Sequence, residues 1–237
     1  MTPTLVRHHR PTESSAAADG ASRARDWTEI QERMLAPLYE AVYTRLEVGP
    51  ATRMLPLGSG TGLALRMAAD RGARIAGTPD AGPPNLIAAL TPIGCEPGDG
   101  EELIRALEAA VPSAERGSAV VLTGWGPPER CTSEAVLRVA GRLGDEGRGP
   151  RRDDLEDVAF RSGLRPDGSG RVACPFGYAD MDGAVRGLLS TRLFRAAIRT
   201  ADRRRVEREL ADALLPYRRA DGSVRMSNVF RYLICTT

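Results

Sequence analysis

The sequence predicts an α/β fold: a mostly parallel, twisted sheet with helices on both faces, shortened in its strand count, plus a small helical layer. Three observations predict it. Apolar runs of strand character alternate with segments of helical spacing across the first half of the chain. One run, Met54 to Leu57, leads straight into three glycines in five residues (Gly58, Gly60 and Gly62) and then into a helix-like apolar series, the order of a strand–turn–helix unit. The run "SAVVLTGW", Ser118 to Trp125, is unbroken, apolar and β-branched, as a strand covered on both faces would be.

Order is expected to begin at Asp26, after a disordered polar tail over residues 1–25; residues 26–237 then form one domain. Trp27, Ile30, Met34, Leu38, Val42 and Leu46 recur at helical spacing, and Pro37 divides that stretch into two helices. A buried strand over Arg53–Leu57 and a helix from Thr61 to Arg71 flank the glycine loop. "ARIAG" is a second strand, "TPDAGPP" a loop, and "NLIAAL", Asn85 to Leu90, a short helix. "PIGCEPGDGEEL" holds a weak third strand and an acidic turn, and "EELIRALEAAV" a helix that precedes the Ser118–Trp125 strand. A helix over Ser133–Leu143, a glycine-rich loop, a short helix from Asp154 and a strand in "SGRVACPF" follow. Three successive helices form an insertion at about 178–216, and "GSVRMSNVFRYLICTT" closes the chain as a turn and a β-rich strand.

Composition excludes several function classes. A chain of 237 residues with 42% hydrophobic and 27% charged residues suits a globular protein with a sizeable core. The 33 basic residues are all arginine, yet the net charge is only +2, too small an excess to argue for nucleic acid. Arg203, Arg204 and Arg205 are followed closely by Glu207, Glu209 and Asp212, the pattern of a solvated helix face. Four dispersed cysteines, Cys95, Cys131, Cys174 and Cys235, offer no zinc spacing and no disulfide framework, which suits a reducing, cytoplasmic setting. His8 and His9 stand in the tail without a third ligand, so no metal is expected. No stretch reaches the roughly 18 apolar residues of a membrane span, and the N-terminus lacks a signal-peptide core.

The stretch "RMLPLGSGTGLALRMAADRGARIAG" resembles the first half of a class I S-adenosylmethionine (SAM) methyltransferase, whose first strand leads into Leu-Gly-Cys-Gly-Thr-Gly. "GDGEEL" resembles the acidic loop after the family's third strand, and "VVLTGWGPPERC" its fifth strand and exit. "VRGLLSTRLFRAAIRTA" and "YRRADGSVRMSNVFRYLI" are similar to the helical insertion and terminal strands of actinobacterial small-molecule enzymes of this type. The resemblance implies a Rossmann-like methyltransferase fold and SAM as cofactor. Gly58, Ser59, Gly60 and Gly62 would then approach the amino-acid part of SAM, and Asp99 the adenine amino group.

Three departures accompany the resemblance. The acid expected on the ribose falls at Pro79, with Asp80 one residue later as the displaced candidate. Pro56 replaces the acid that orders the glycine loop. Only the fourteen residues Ile104–Gly117 separate "GDGEEL" from the Ser118 strand, where a strand, a loop and a helix need roughly 22. The fourth strand is therefore expected to be missing, with the fifth pairing directly on the first.

Three readings of function stay open on these residues. The first is a SAM-dependent methyltransferase acting on a small natural product in secondary metabolism. The second keeps the pocket but not the donor, as a cyclase or isomerase that works by confining its substrate. The third is a non-catalytic partner of an active methyltransferase, paired through apolar surface exposed by the missing strand. A small-molecule substrate, no nucleic acid and no membrane are the partners expected, with a homodimer as the assembly. Trp27, Trp125 and Tyr178 are the candidate wall residues of a substrate pocket, each with an ordinary packing role as the alternative; Arg192 would stand in the channel or reach solvent. No catalytic residue is assigned.

Overall fold

The computed structural model describes residues 13–58, 61–76, 82–94, 98–144, 154–191 and 194–237. Ser59, Gly60, Pro79, Asp80, Cys95, Arg192 and both histidines lie outside the described residues. The four strands β1 (Arg53–Leu57), β2 (Arg74–Ile75), β3 (Leu86–Ile93) and β4 (Ala119–Trp125) are parallel. Two further strands, β5 (Arg165–Ala173) and β8 (Val229–Thr236), complete a six-stranded sheet in the order β2-β1-β3-β4-β8-β5, with β8 antiparallel to both neighbours. A separate two-stranded ribbon pairs β6 (Phe176–Tyr178) with β7 (Val224–Met226).

The predicted fold class is the one formed: a mostly parallel α/β sheet covered on both faces. Alternation along β3 divides the core in two. Leu86, Ala88 and Leu90 join the cluster built by helices α2 (Ala36–Arg45), α3 (Gly62–Asp70) and α5 (Glu134–Leu143). Ile87, Ala89 and Ile93 join the opposite cluster, built by α4 (Asp99–Ala110) and α6 (Asp154–Arg161). The helical layer consists of α7 (Met181–Ser190), α8 (Phe194–Thr200) and α9 (Arg203–Leu214), which pack on α5 and one another.

The segment Asn85–Leu90 is a strand, not the helix expected from its alanines and leucines. Tertiary context overrides that propensity. Asn85 fixes the entry: its Oδ1 accepts from the Arg53 N–H at 2.8 Å, and its Nδ2 donates to the Ala51 carbonyl at 3.0 Å. Beyond it, β3 pairs in parallel with β1 on one side and with β4 on the other. The gap expected between the first strand and the Ser118–Trp125 strand is therefore filled, and the direct pairing of those two does not occur. Apolar surface at a missing central strand, the stated support for a scaffold role, is not there either, because Ile87, Ala88 and Leu90 are fully buried.

The sheet is instead short at its β2 edge. Ala76 N–H donates to the Met54 carbonyl at 2.7 Å, so Met54 and, two residues on, Pro56 turn their backbone groups toward β2. Pro56 has no N–H to continue that ladder. β2 accordingly stops at Ile75.

The N-terminal segment is also corrected. Residues Glu13–Asp26, all but the last within the stretch 1–25 expected to be a disordered tail, form helix α1, for which the alanines and arginines of "ESSAAADGASRARD" are good formers. A π-helical turn over Trp27–Gln31 and a 3₁₀ turn over Glu32–Leu35 carry the chain into α2, where Pro37 sits in the first turn and its missing N–H costs nothing. Among the described residues no helix is long and apolar enough to cross a membrane.

Candidate functional site

The parallel strands end together. Leu57 and Gly58 leave β1, Thr91, Pro92 and Ile93 finish β3, and Trp125 finishes β4; these residues floor a cavity of about 560 Å³. The location is the one that open α/β sheets favour for ligands, outside the carboxyl ends of the strands. The register of β3 on β4 shifts between Ala89 and Ile93, a bulge that accommodates Pro92 and turns the strand end into the cavity wall.

Each side of the cavity comes from a different element. α1 and the π turn contribute Arg23, Ala24, Trp27, Thr28 and Gln31 as a cover. The first two turns of α4 supply Asp99, Glu102, Leu103 and Ala106. Phe176, Phe230, Ser190 and Thr191 close the remaining side. Trp125 packs on Phe230 with ring centroids 4.5 Å apart and meets Phe176 edge-on at 6.0 Å, so that wall is a locked aromatic cluster.

The glycine loop meets the floor at Gly58, whose φ of +88° favours glycine, and a Cβ there would lie 3.3 Å from the Thr91 hydroxyl. Beyond the loop, the buried Glu32 carboxylate accepts the Leu63 N–H at 2.6 Å, capping the open N-terminus of α3 from another helix. The start of α3 is thus held from the N-terminal segment. Burial is the main cause that raises the Glu32 carboxyl above its ordinary pKa, against the opposing pull of the Leu63 and Ala64 N–H groups and the Arg66 charge. Tyr43, whose hydroxyl donates to the Ala64 carbonyl at 2.8 Å, ties α2 to the same turn of α3.

Of the residues singled out in the sequence, Gly58, Asp99, Trp27 and Trp125 come together in this cavity. Gly62 opens α3 beside Glu32, while Ser59, Gly60 and Asp80 lie outside the described residues. Asp99 occupies a different place from the one the resemblance implied. It begins the helix that follows the central strand β3, and its Oδ2 accepts the Gly94 N–H at 2.9 Å, so it stands at the middle of the sheet rather than at the β2 edge. Tyr178 is one layer behind the wall: it is buried, its hydroxyl donates to Gln31 Oε1 at 2.8 Å, and Gln31 faces the cavity. Glu32, Thr91, Glu102, Phe176 and Phe230 were missed. For Glu102 the signal was available, since it falls one helical turn after Asp99; the others are assembled by contacts distant in sequence.

The fit to SAM is unequal along the molecule. Gly58, Thr91 and Asp99 suit an amino-acid end that approaches the main chain. The nucleoside end would need a wall at the β2 edge, where β2 spans two residues, Arg74–Ile75. The described cavity lies over β1, β3 and β4 instead. Among the described residues, those lining the cavity suit only part of the cofactor.

No family model matches the sequence, and no curated protein does. Among solved structures the chain is similar to a SAM-dependent methyltransferase from Geobacter sulfurreducens in complex with S-adenosyl-L-homocysteine, at 15% identity and a TM-score of 0.49, covering 91% of this chain and 97% of that one. It is similar to YjhP from E. coli at 17% identity and a TM-score of 0.42, covering 90% and 95%. It is similar to the cyclase SpnF at 14% identity and a TM-score of 0.43, covering 84% and 79%. Identities this low leave the chemistry of the site to be argued from the residues of this chain.

Proposed function

We propose that this chain is a small-molecule enzyme built on a methyltransferase-like sheet, which confines one mainly apolar organic molecule and rearranges or cyclises it without a methyl donor. The observation that carries the reading is the position of the cavity, over the carboxyl ends of β1, β3 and β4 and walled by Trp27, Trp125, Phe176 and Phe230. A cavity of about 560 Å³ with aromatic walls can select one conformation of a flexible substrate, and orientation alone supplies much of the barrier lowering in ring closures. The second reading, SAM-dependent methyl transfer to a small natural product of secondary metabolism, is favoured by the close backbone approach at Gly58.

Two titrations separate the readings. The neutral fluorophore N-phenylnaphthylamine is expected to bind one per chain and to lose affinity in Trp125→Ala. Calorimetry with SAM is expected to give no heat up to millimolar concentration. Micromolar SAM binding would overturn the proposal in favour of methyl transfer, and failure of the fluorophore to bind would remove the small-molecule cavity from both.

A further inference from the structure

Gln31 ends the π-helical turn of the cover and is only 3% exposed, yet it lines the cavity. Turns of this kind recur at functional sites. The two polar atoms of its amide have different surroundings. Oε1 accepts the Tyr178 hydroxyl at 2.8 Å from behind the wall. Nε2 has no partner among the described residues, and it is not sealed in the interior as the unpartnered Tyr39 hydroxyl and Asn228 Nδ2 are, so it opens onto the cavity.

Tyr178 decides which way round this amide stands. The phenol is buried, and burial raises its pKa above the ordinary value, so it keeps its proton. That proton needs an acceptor, and Gln31 Oε1 is the one it meets. Turned over, the amide would point a donor at the phenol and leave the buried O–H unmet. α7 packs against the same group, since a Cβ on Gly187 would lie 3.3 Å from Oε1. Ser190 and Thr191, also in the wall, do not replace Nε2 as donors: their hydroxyls give their protons to the Gly187 and Leu188 carbonyls, each at 2.6 Å.

A donor this deep calls for a ligand atom that accepts. A hydrocarbon, or a group that only donates, strips water from Nε2 and returns nothing. We propose that Gln31 is the specificity-determining residue of this cavity, donating from Nε2 to a carbonyl oxygen on an otherwise apolar molecule, with Tyr178 as the positioning residue that aims it. A carbonyl brings no proton of its own to place. A donor held on it also stabilises charge that develops on the oxygen as conjugated bonds rearrange or close a ring. This inference rests on the small-molecule reading above and names the functional group that such a molecule carries.

The test displaces N-phenylnaphthylamine from the full chain with three probes of one shape: methyl naphthyl ketone, its alkene isostere with a methylene in place of the oxygen, and the corresponding secondary alcohol. The ratio of ketone to alkene affinity is compared between wild type and variants checked for folding by circular dichroism, so that the probes' differing solubility cancels. The ratio is expected to fall at least about fivefold in Gln31→Met, the effect of one buried donor lost, and in the same direction in Tyr178→Phe, which frees the amide to turn. Tyr178→Phe carries the test should Gln31→Met not fold. The ratio of alcohol to alkene is expected to fall less. A ketone ratio unchanged in either folded variant, or an equal fall for the alcohol, would overturn the inference and leave the small-molecule reading standing. Binding of N-phenylnaphthylamine that none of the three displaces overturns it as well; if N-phenylnaphthylamine itself does not bind, the reading falls with it.

Discussion

Glu32 links the N-terminal segment to the glycine loop, and its carboxylate is the residue-scale feature most open to measurement. Removing it in Glu32→Ala leaves the Leu63 N–H unpaired and is expected to cost about 1–3 kcal/mol, whereas Glu32→Gln keeps an acceptor and costs less. The pH dependence carries a sign. Because burial raises the folded pKa, the folded chain binds this proton more readily than the unfolded one. The contribution of Glu32 is therefore fully present below the ordinary carboxyl value of 4.5 and is lost as pH rises through the raised folded value. The melting-temperature difference between wild type and Glu32→Gln should accordingly shrink or reverse as pH rises from 4.5 and then level off; a flat difference would contradict the assignment. Nothing in the sequence marked Glu32, since its partner lies 31 residues downstream and the pairing exists only once α2 and α3 are docked.

At the scale of elements, the cover of the cavity is held by one close approach. Gly187 on α7 faces the π turn, and a Cβ there would lie 2.8 Å from Ile30 Cγ2 and 2.9 Å from the Tyr178 ring. Gly187→Ala should push α7 from the turn that carries Trp27 and Gln31, lowering stability by about 1–3 kcal/mol in denaturant unfolding and loosening N-phenylnaphthylamine binding. Unchanged stability and affinity would mean that the cover is not seated on α7. Which elements could be read in advance follows from how local their causes are. β1, α3 and β4 were legible, because apolar or β-branched runs and helical spacing act within a few residues. β3 was not, because "NLIAAL" contains one β-branched residue and is buried on both faces, so neither propensity nor alternation distinguishes it from a buried helix. That one misreading put a gap at the centre of the sheet, where β3 pairs with both β1 and β4. α1 was lost for the opposite reason: a polar, alanine-rich segment carries helical propensity but little sign of what it will cover.

The whole molecule is organised around a central strand that serves two cores, and its free carboxyl edge is roofed by α1 and the π turn. Pro56 and the two-residue β2 contract one end of the sheet, while β8, β5 and the helical layer build up the other, so the enclosed space is centred on β3. On the proposed function, the ligand lies between Trp27 and Trp125, both of which line this cavity. The most direct measurement is a crystal structure of the chain with N-phenylnaphthylamine bound. Ligand density is expected over Gly58 and Thr91, flanked by both indoles. Density beyond β1 at the β2 edge, with the space between the two tryptophans left to solvent, would contradict it.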